Sequence, residues 1–228
     1  MVEFRGVSKT YARAAGGRVH ALSDATFSIG PGELSILSGP AGAGKSTVLR
    51  LAAGEERPTA GTVLVEGQDL GRLRRRELGR LRRGLGVIPQ EPRLLADRTV
   101  FGNVAVVLRA LGFPAREVRT RALGVLREVG LGARPNALPG ELARGERQRL
   151  AIARALATHP RLVLADEPFA ALDAAEADEL LAVLRAALGR GATVLLATRV
   201  ASFPDAAGRA PVIRLDGGRV DGGRSARV

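Results

Sequence analysis

The stretch "GPAGAGKST", residues 39–47, follows directly on the apolar run "LSIL", residues 34–37, and few folds accommodate that order. A phosphate chain needs several backbone N–H groups converging on it, and glycine lets the backbone wrap that closely. Gly39, Gly42 and Gly44 supply this, with Pro40, Ala41 and Ala43 completing the loop. Lys45 then adds a cation for the β- and γ-phosphates, Ser46 a hydroxyl for Mg²⁺, and Thr47 a donor at the start of a helix. A flexible glycine turn that happens to hold a lysine explains neither the strand before the loop nor the helix after it. The cofactors this implies are ATP and Mg²⁺.

A second motif, "LVLADEP", residues 162–168, is an apolar strand ending in two carboxylates. Asp166 is expected at the C-terminal edge of the sheet, beside the phosphate loop if the two strands are neighbours, where it can hold Mg²⁺ through water. Glu167, one residue on, can accept a proton from a water attacking the γ-phosphate. An acidic pair at a strand end is by itself more often a helix cap or a solvated turn. The phosphate loop upstream decides for the catalytic reading.

Short apolar runs alternate with helical patterns along the chain. Strands are expected at 2–7, 25–29, 34–37, 62–67, 85–88, 161–166, 193–198 and 211–215, and helices beginning near Gly44, Thr99, Pro114, Gly145 and Ala174. Several of the strands are continuous apolar runs, as in a parallel sheet covered on both faces. From 91 to 159 strands give way to helices. The expected organisation is therefore one α/β domain over 1–228, with 1–90 and 160–228 forming the core and 91–159 a helical insertion.

The chain has no cysteine, which excludes disulfides and thiolate metal sites. No apolar run approaches the roughly 20 residues that span a bilayer, and "MVEFRGVSKTY" alternates like a strand rather than a signal peptide. A cytoplasmic protein is expected. The net charge of +12 suggests nucleic acid or anionic membrane, but the basic residues are almost all arginines spread along the chain. Aromatic residues, at 3%, are too sparse for base-stacking surfaces, so no direct nucleic-acid contact is expected. The densest basic run, "RLRRRELGRLRR" at 72–83, carries a partial apolar stripe of Leu73, Leu78 and Leu81. It reads as a solvated helix face, or as a contact with lipid headgroups or an acidic partner.

The two motifs, with "LARGERQR" at 142–149 shortly before the second, resemble the ATP-binding-cassette ATPases over nearly the whole chain. The resemblance implies a P-loop NTPase with a mostly parallel core sheet, an N-terminal antiparallel β-subdomain and a helical subdomain. It also implies a head-to-tail homodimer in the ATP-bound state, each nucleotide lying between one copy's phosphate loop and the other's signature. Tyr11 matches the aromatic that stacks on adenine, an edge-strand tyrosine being the alternative. Gln90 falls where the family has a glutamine that contacts Mg²⁺ and the attacking water and senses the membrane partner. "FAALD", residues 169–173, resembles a loop of the family pattern with its aspartate at Asp173. "GPAGAGKSTVLRLAAGEERPTAGTV" and "PRLLADRTVFGNVAVVL" are most similar to the cell-division branch, whose ATPase pairs with a permease-like membrane protein. The lipoprotein-release and macrolide-export branches are close rivals. Each implies a protein held at the inner face of the membrane by its partner, docking around Gln90, Glu91 and Arg93.

Two places depart from the family pattern. The signature, ordinarily LSGGQ or LSGGE, reads Leu142, Ala143, Arg144, Gly145, Glu146. Ala143 lacks the hydroxyl that reaches the γ-phosphate, a hydrogen bond to a charged group worth roughly 1.5–3 kcal/mol. Arg144 either restores that attraction or holds the dimer apart, and Gly145 keeps its backbone donor. Arg199 stands in place of the switch histidine, with a different shape and donor set. An ordinary ATPase, a slow or partner-gated one, and a nucleotide-binding switch without turnover remain open, as does a soluble ATPase acting on DNA.

Overall fold

The computed structural model describes residues 1–12, 16–199 and 210–221. Its main sheet is built from β3 (Leu34–Ser38), β6 (Leu85–Ile88), β7 (Leu162–Asp166), β8 (Thr193–Thr198), β9 (Val212–Asp216) and β10 (Arg219–Asp221), in the order β10-β9-β3-β8-β7-β6. All its neighbours run parallel except β9 and β10. The second sheet is antiparallel along its length: β1 (Val2–Ala12), β2 (Arg18–Ile29), β4 (Ala60–Val65) and β5 (Gln68–Asp69), in the order β2-β1-β4-β5.

The unbroken apolar strands follow from burial on both faces. Along β7, Val163 and Ala165 join one buried cluster while Leu162 and Leu164 join another; along β8, Val194 and Leu196 divide from Leu195 and Ala197 in the same way. The first cluster lies under the helices α3 (Val100–Ala110), α4 (Ala115–Glu128), α5 (Arg144–Leu156) and α6 (Ala174–Gly189). The second fills the space between the two sheets around α1 (Lys45–Ala52), with Phe4 and Phe27 stacked 4.5 Å apart. Each valine, leucine, isoleucine or phenylalanine side chain buried there contributes about 1.5–3 kcal/mol on leaving water.

Between β6 and β7 the chain is helical. Thr99 caps α3 by accepting from the Gly102 amide at 3.0 Å, and Pro114 fixes the entry to α4. The basic run forms α2 (Arg75–Arg82), with Leu81 buried, Leu73 and Leu78 half-buried, and its arginines exposed. No helix among the described residues is long and apolar enough to cross a membrane.

Strand limits differ from the sequence expectation at the first two strands, which form a long ladder from Val2↔Ile29 to Ala12↔Arg18. Their outer ends are polar and paired with each other rather than buried, so hydropathy gives no signal there. β5 and β10 are two- and three-residue strands whose ladders are antiparallel pairings with β4 and β9. The two motif strands, whose adjacency the sequence leaves open, are not direct neighbours. β8 lies between β3 and β7, because both pair with it in parallel. At the usual strand spacing this puts β3 and β7 about 10 Å apart, with their C-terminal ends at one edge of the sheet.

Candidate active site

Residues 39–44 leave the end of β3 and turn into α1, and the fold presses on them from two sides. A Cβ on Gly39 would lie 2.1 Å from the Leu215 carbonyl oxygen of β9. One on Gly44, whose φ is +103°, would lie 2.3 Å from the Ala21 carbonyl oxygen of β2. Backbone on both sides leaves no room for a side chain, so the loop sits wedged between the two sheets. Lys45 opens α1 with its side chain folded back over the loop, Nζ donating to the carbonyls of Gly39 (2.8 Å) and Pro40 (3.0 Å). Those are the donors that a phosphate chain would redirect.

Asp166 ends β7, with the Ser46 hydroxyl beside its carboxylate. Burial, with the neighbouring Glu167 charge acting in the same direction, lifts the Asp166 pKa above the ordinary aspartate range, against the opposing influence of Ser46, Lys45 and Arg50. A desolvated carboxylate beside a hydroxyl is a hard oxygen donor pair that a divalent cation would stabilise. The described residues contain no cluster of three or more His, Cys, Asp or Glu able to cage a metal. That donor set fits Mg²⁺, which binds through one or two carboxylates and completes its shell with water and substrate phosphates.

Glu167 is buried and held on all sides. Its amide donates to the Ala197 carbonyl at 2.8 Å, carrying the β7–β8 ladder one residue past Asp166, and its φ of +45° is left-handed. Such a conformation costs about 1–3 kcal/mol for a residue other than glycine. One carboxylate oxygen accepts from Thr198 Oγ1 (3.3 Å) and the Arg199 amide (3.4 Å). The other lies 3.8 Å from Lys45 Nζ and 3.6 Å from Arg199 Nε. Lys45 and the residue after β8 thus face one carboxylate.

Gln90, just beyond β6, is exposed. It lines a cavity of about 410 Å³ whose walls include Ser46, Asp166, Arg50, Glu91, Arg93 and Arg154. An adjoining groove of about 300 Å³ shares Val87 and Arg154 with it and extends to Arg82, Arg83, Val107 and Leu111. Arg154 was not singled out in the sequence; half-buried, it reaches the Arg93 carbonyl.

Tyr11 lies beside the start of α1, its hydroxyl donating to Glu56 (2.6 Å) and 3.5 Å from Thr47 Oγ1, with Lys9 Nζ 5.0 Å over the ring. Burial and Glu56 raise the tyrosine pKa; burial also pushes Glu56 up, but hydrogen bonds from Tyr11 and Lys9 outweigh it and hold Glu56 low. β1 is an inner strand of its sheet, so the edge-strand alternative holds only in part: pairing with β4 ends at Ser8, and at Tyr11 only β2 is a neighbour. No sequence pattern marked Glu56 as its partner.

Ala143, Arg144, Gly145, Glu146 and Asp173 form a separate group. Glu146 accepts from the Ala143 amide (2.8 Å) and both its oxygens meet Arg134 (3.0 Å); the amide first, then Arg134, holds its pKa low against burial. Arg144 is exposed at the first turn of α5. Asp173 caps α6 by accepting from the Glu176 amide (2.8 Å), and Glu176 pairs with Arg149 of α5. A Cβ on Gly145 would lie 3.1 Å from Glu176, so the signature turn packs directly against the start of α6. Among the described residues no ion pair or side-chain hydrogen bond links this group to Lys45, Asp166 or Glu167.

The family described as ABC transporter matches residues 22–170. Among curated relatives, the methionine import ATP-binding protein MetN of Cereibacter sphaeroides is 45% identical over 96% of this chain and 62% of its own length. The cell division ATP-binding protein FtsE of Escherichia coli is 44% identical over 87% of both chains. The chain thus spans less than two thirds of MetN. Of solved structures, the ATP-binding cassette MJ0796, in a dimeric post-hydrolysis state bound to ADP and Pi, superposes with a TM-score of 0.88 at 32% identity over 97% of each chain. A phosphate loop and a β7 carboxylate pair at one sheet edge, matched over most of the chain to these cassettes, carry one conclusion: the chain belongs to the ABC transporter family, as an ATP-binding protein of it.

Proposed function

We propose that this chain is the ATPase of an FtsEX-like complex, in which nucleotide-driven closure of a homodimer is passed to an FtsX-like transmembrane permease in cell division. The observation that carries the ATPase reading is the Glu167 carboxylate, 3.8 Å from Lys45 Nζ and beside the Ser46–Asp166 pair. The FtsE match, which runs over 87% of both chains, supports the division reading. The MetN match, at 45% identity, supports a second one, the ATPase of a methionine importer. Lipoprotein, lipid or macrolide export remains a further alternative from the sequence resemblance.

In this reading the backbone amides of 39–44 and Lys45 hold the phosphates, and Tyr11 borders the base. Ser46, Asp166 and Gln90 would hold Mg²⁺, whose charge, when bound, offsets that developing on the phosphoryl oxygens. Glu167 takes the proton of the attacking water, and Gln90 helps place that water. Ala143, Arg144, Gly145 and Glu146 belong to the partner copy's site, which accounts for their separation from Lys45 within one chain, and Asp173 lies with them. The cavity beside Gln90, walled by Glu91 and Arg93, receives the permease.

Hydrolysis is slow or gated by the partner. Arg199 is a permanent cation at the base, and Arg144 places a long charged side chain where the family has a hydrogen. Steady-state MgATP hydrolysis tests this, comparing wild type with Glu167→Gln and with Ala143→Ser/Arg144→Gly/Arg199→His. Low activity that vanishes in Glu167→Gln and rises in the triple variant is expected. Turnover at the wild-type rate in Glu167→Gln would remove Glu167 as the base, and silence in wild type with activity in the triple variant would leave a nucleotide-binding switch. Co-purification with an FtsX permease tests the division role, and failure there overturns it.

A further inference from the structure

We propose that α2 presents a row of arginines to the anionic headgroups of a membrane, so that the chain touches lipid directly and not only through a protein partner. Leu81 is buried and Leu78 packs on the same core cluster, so one face of α2 is turned inward. Arg76, Arg80 and Arg83 follow at intervals of one and two turns on the opposite face, all exposed. Like charges one turn apart weaken a helix. The only carboxylate of α2, Glu77, is already used, accepting from the Arg74 amide at 2.7 Å. Of the neighbouring arginines, Arg72 meets Asp69 at 3.2 Å and Arg82 donates to the carbonyls of Ala53 and Gly54, while Arg74 and Arg75 add to the exposed charge at the start of the helix. Among the described residues no hydrogen bond or ion pair engages the side chains of Arg76, Arg80 or Arg83.

A helix that keeps an uncompensated row of like charges lacks an anionic partner. The row includes no apolar or aromatic residue, and Gly79 lies between Arg76 and Arg80. It therefore has neither the buried apolar centre of a protein interface nor the stacking platform of a single-strand binder. A surface of phosphate headgroups needs only charge. Its position favours lipid over duplex DNA: Arg82 and Arg83, at the end of the helix, border the groove that joins the Gln90 cavity. That placement rests on the proposed docking of a permease at Gln90, whereas lipid binding is measured on the chain alone and fails or succeeds independently of it.

Co-sedimentation of the full chain with phosphatidylcholine vesicles, with and without phosphatidylglycerol, tests the proposal. An arginine at an anionic surface is worth about a fivefold change in binding. Arg76→Gln/Arg80→Gln/Arg83→Gln should lower partition to phosphatidylglycerol vesicles roughly a hundredfold, with ATP affinity unchanged. A control removing Arg116, Arg119 and Arg127 of α4 alters net charge equally and should bind nearly as wild type does. Equal losses in the two variants would assign binding to net charge and overturn the proposal. So would wild-type binding that ignores phosphatidylglycerol, or tighter α2-dependent binding to duplex DNA than to vesicles.

Discussion

Asp166→Asn should stabilise the nucleotide-free chain while abolishing its response to MgATP. Burial, and secondarily the Glu167 charge, lifts the Asp166 pKa above the ordinary range. The native state therefore holds that proton more tightly than the unfolded chain. Between the unfolded and the raised folded pKa, native Asp166 binds more protons, so its contribution to stability falls as pH rises through that window and remains unfavourable above it. Asparagine keeps the shape and an acceptor for Ser46 without the charge. Relieving a buried charge held at such a cost gains roughly 0.5–2 kcal/mol, and each kcal/mol moves the melting temperature by about 2–4 °C in a chain of this size. Calorimetry without Mg²⁺ or nucleotide should show the variant melting higher by a few degrees near neutral pH. The gain should shrink on acidification toward the ordinary aspartate range as wild-type Asp166 takes up its proton. Added MgATP should raise the melting temperature of wild type and leave the variant unmoved. A variant that melts below wild type near neutral pH, without ligand, would refute the reasoning: the carboxylate would then be a net stabiliser through Ser46 and Lys45, not a charge kept for a cation.

Lys45→Ala should weaken MgATP binding at least tenfold to a hundredfold, the loss of one charge-assisted hydrogen bond being about 1.5–3 kcal/mol. Isothermal titration measures this, and undiminished affinity would remove the phosphate-loop assignment. Gly39→Ala should cost more stability than Gly42→Ala in thermal melts. The first places a Cβ 2.1 Å from backbone, whereas the second meets nothing within 4 Å and bears only the strain of φ +78°, about 1–2 kcal/mol. Equal losses would show that the β9 backbone gives way.

Much of this was legible because the informative residues are local. The phosphate loop, the β7 carboxylates and the unbroken strand runs all lie in short stretches whose chemistry survives without neighbours. What remained hidden was pairwise. β5 and β10 are strands by virtue of the backbone partners that β4 and β9 offer them, and the polar outer halves of β1 and β2 pair mainly with each other. The insertion of β8 between the two motif strands is a crossover that no residue pattern encodes. Glu56 under Tyr11 and Glu176 under Gly145 are likewise meetings of distant segments, each built around a carboxylate indistinguishable in the sequence from a solvated one.

That crossover also brings three charged groups together. Parallel register aligns Ser38 with Thr198, and Ala197 with Asp166, so the loop after β3, the residue after β8 and the turn after β7 leave the sheet at the same height. Lys45, Arg199 and Glu167 meet there because their strands end together, not because they are near in sequence. The consequence for Arg199 follows from its chemistry. A histidine at this position would lose its charge near neutral pH, and an arginine keeps it. At 3.6 Å, Arg199 holds the Glu167 carboxylate against a cation that acidity and alkalinity leave in place. The Arg199 side chain is more than half exposed, so a competing anion can reach the guanidinium and draw it away. In the proposed function that anion is the γ-phosphate, so the contact restraining the base in the empty site becomes a contact to substrate in the loaded one.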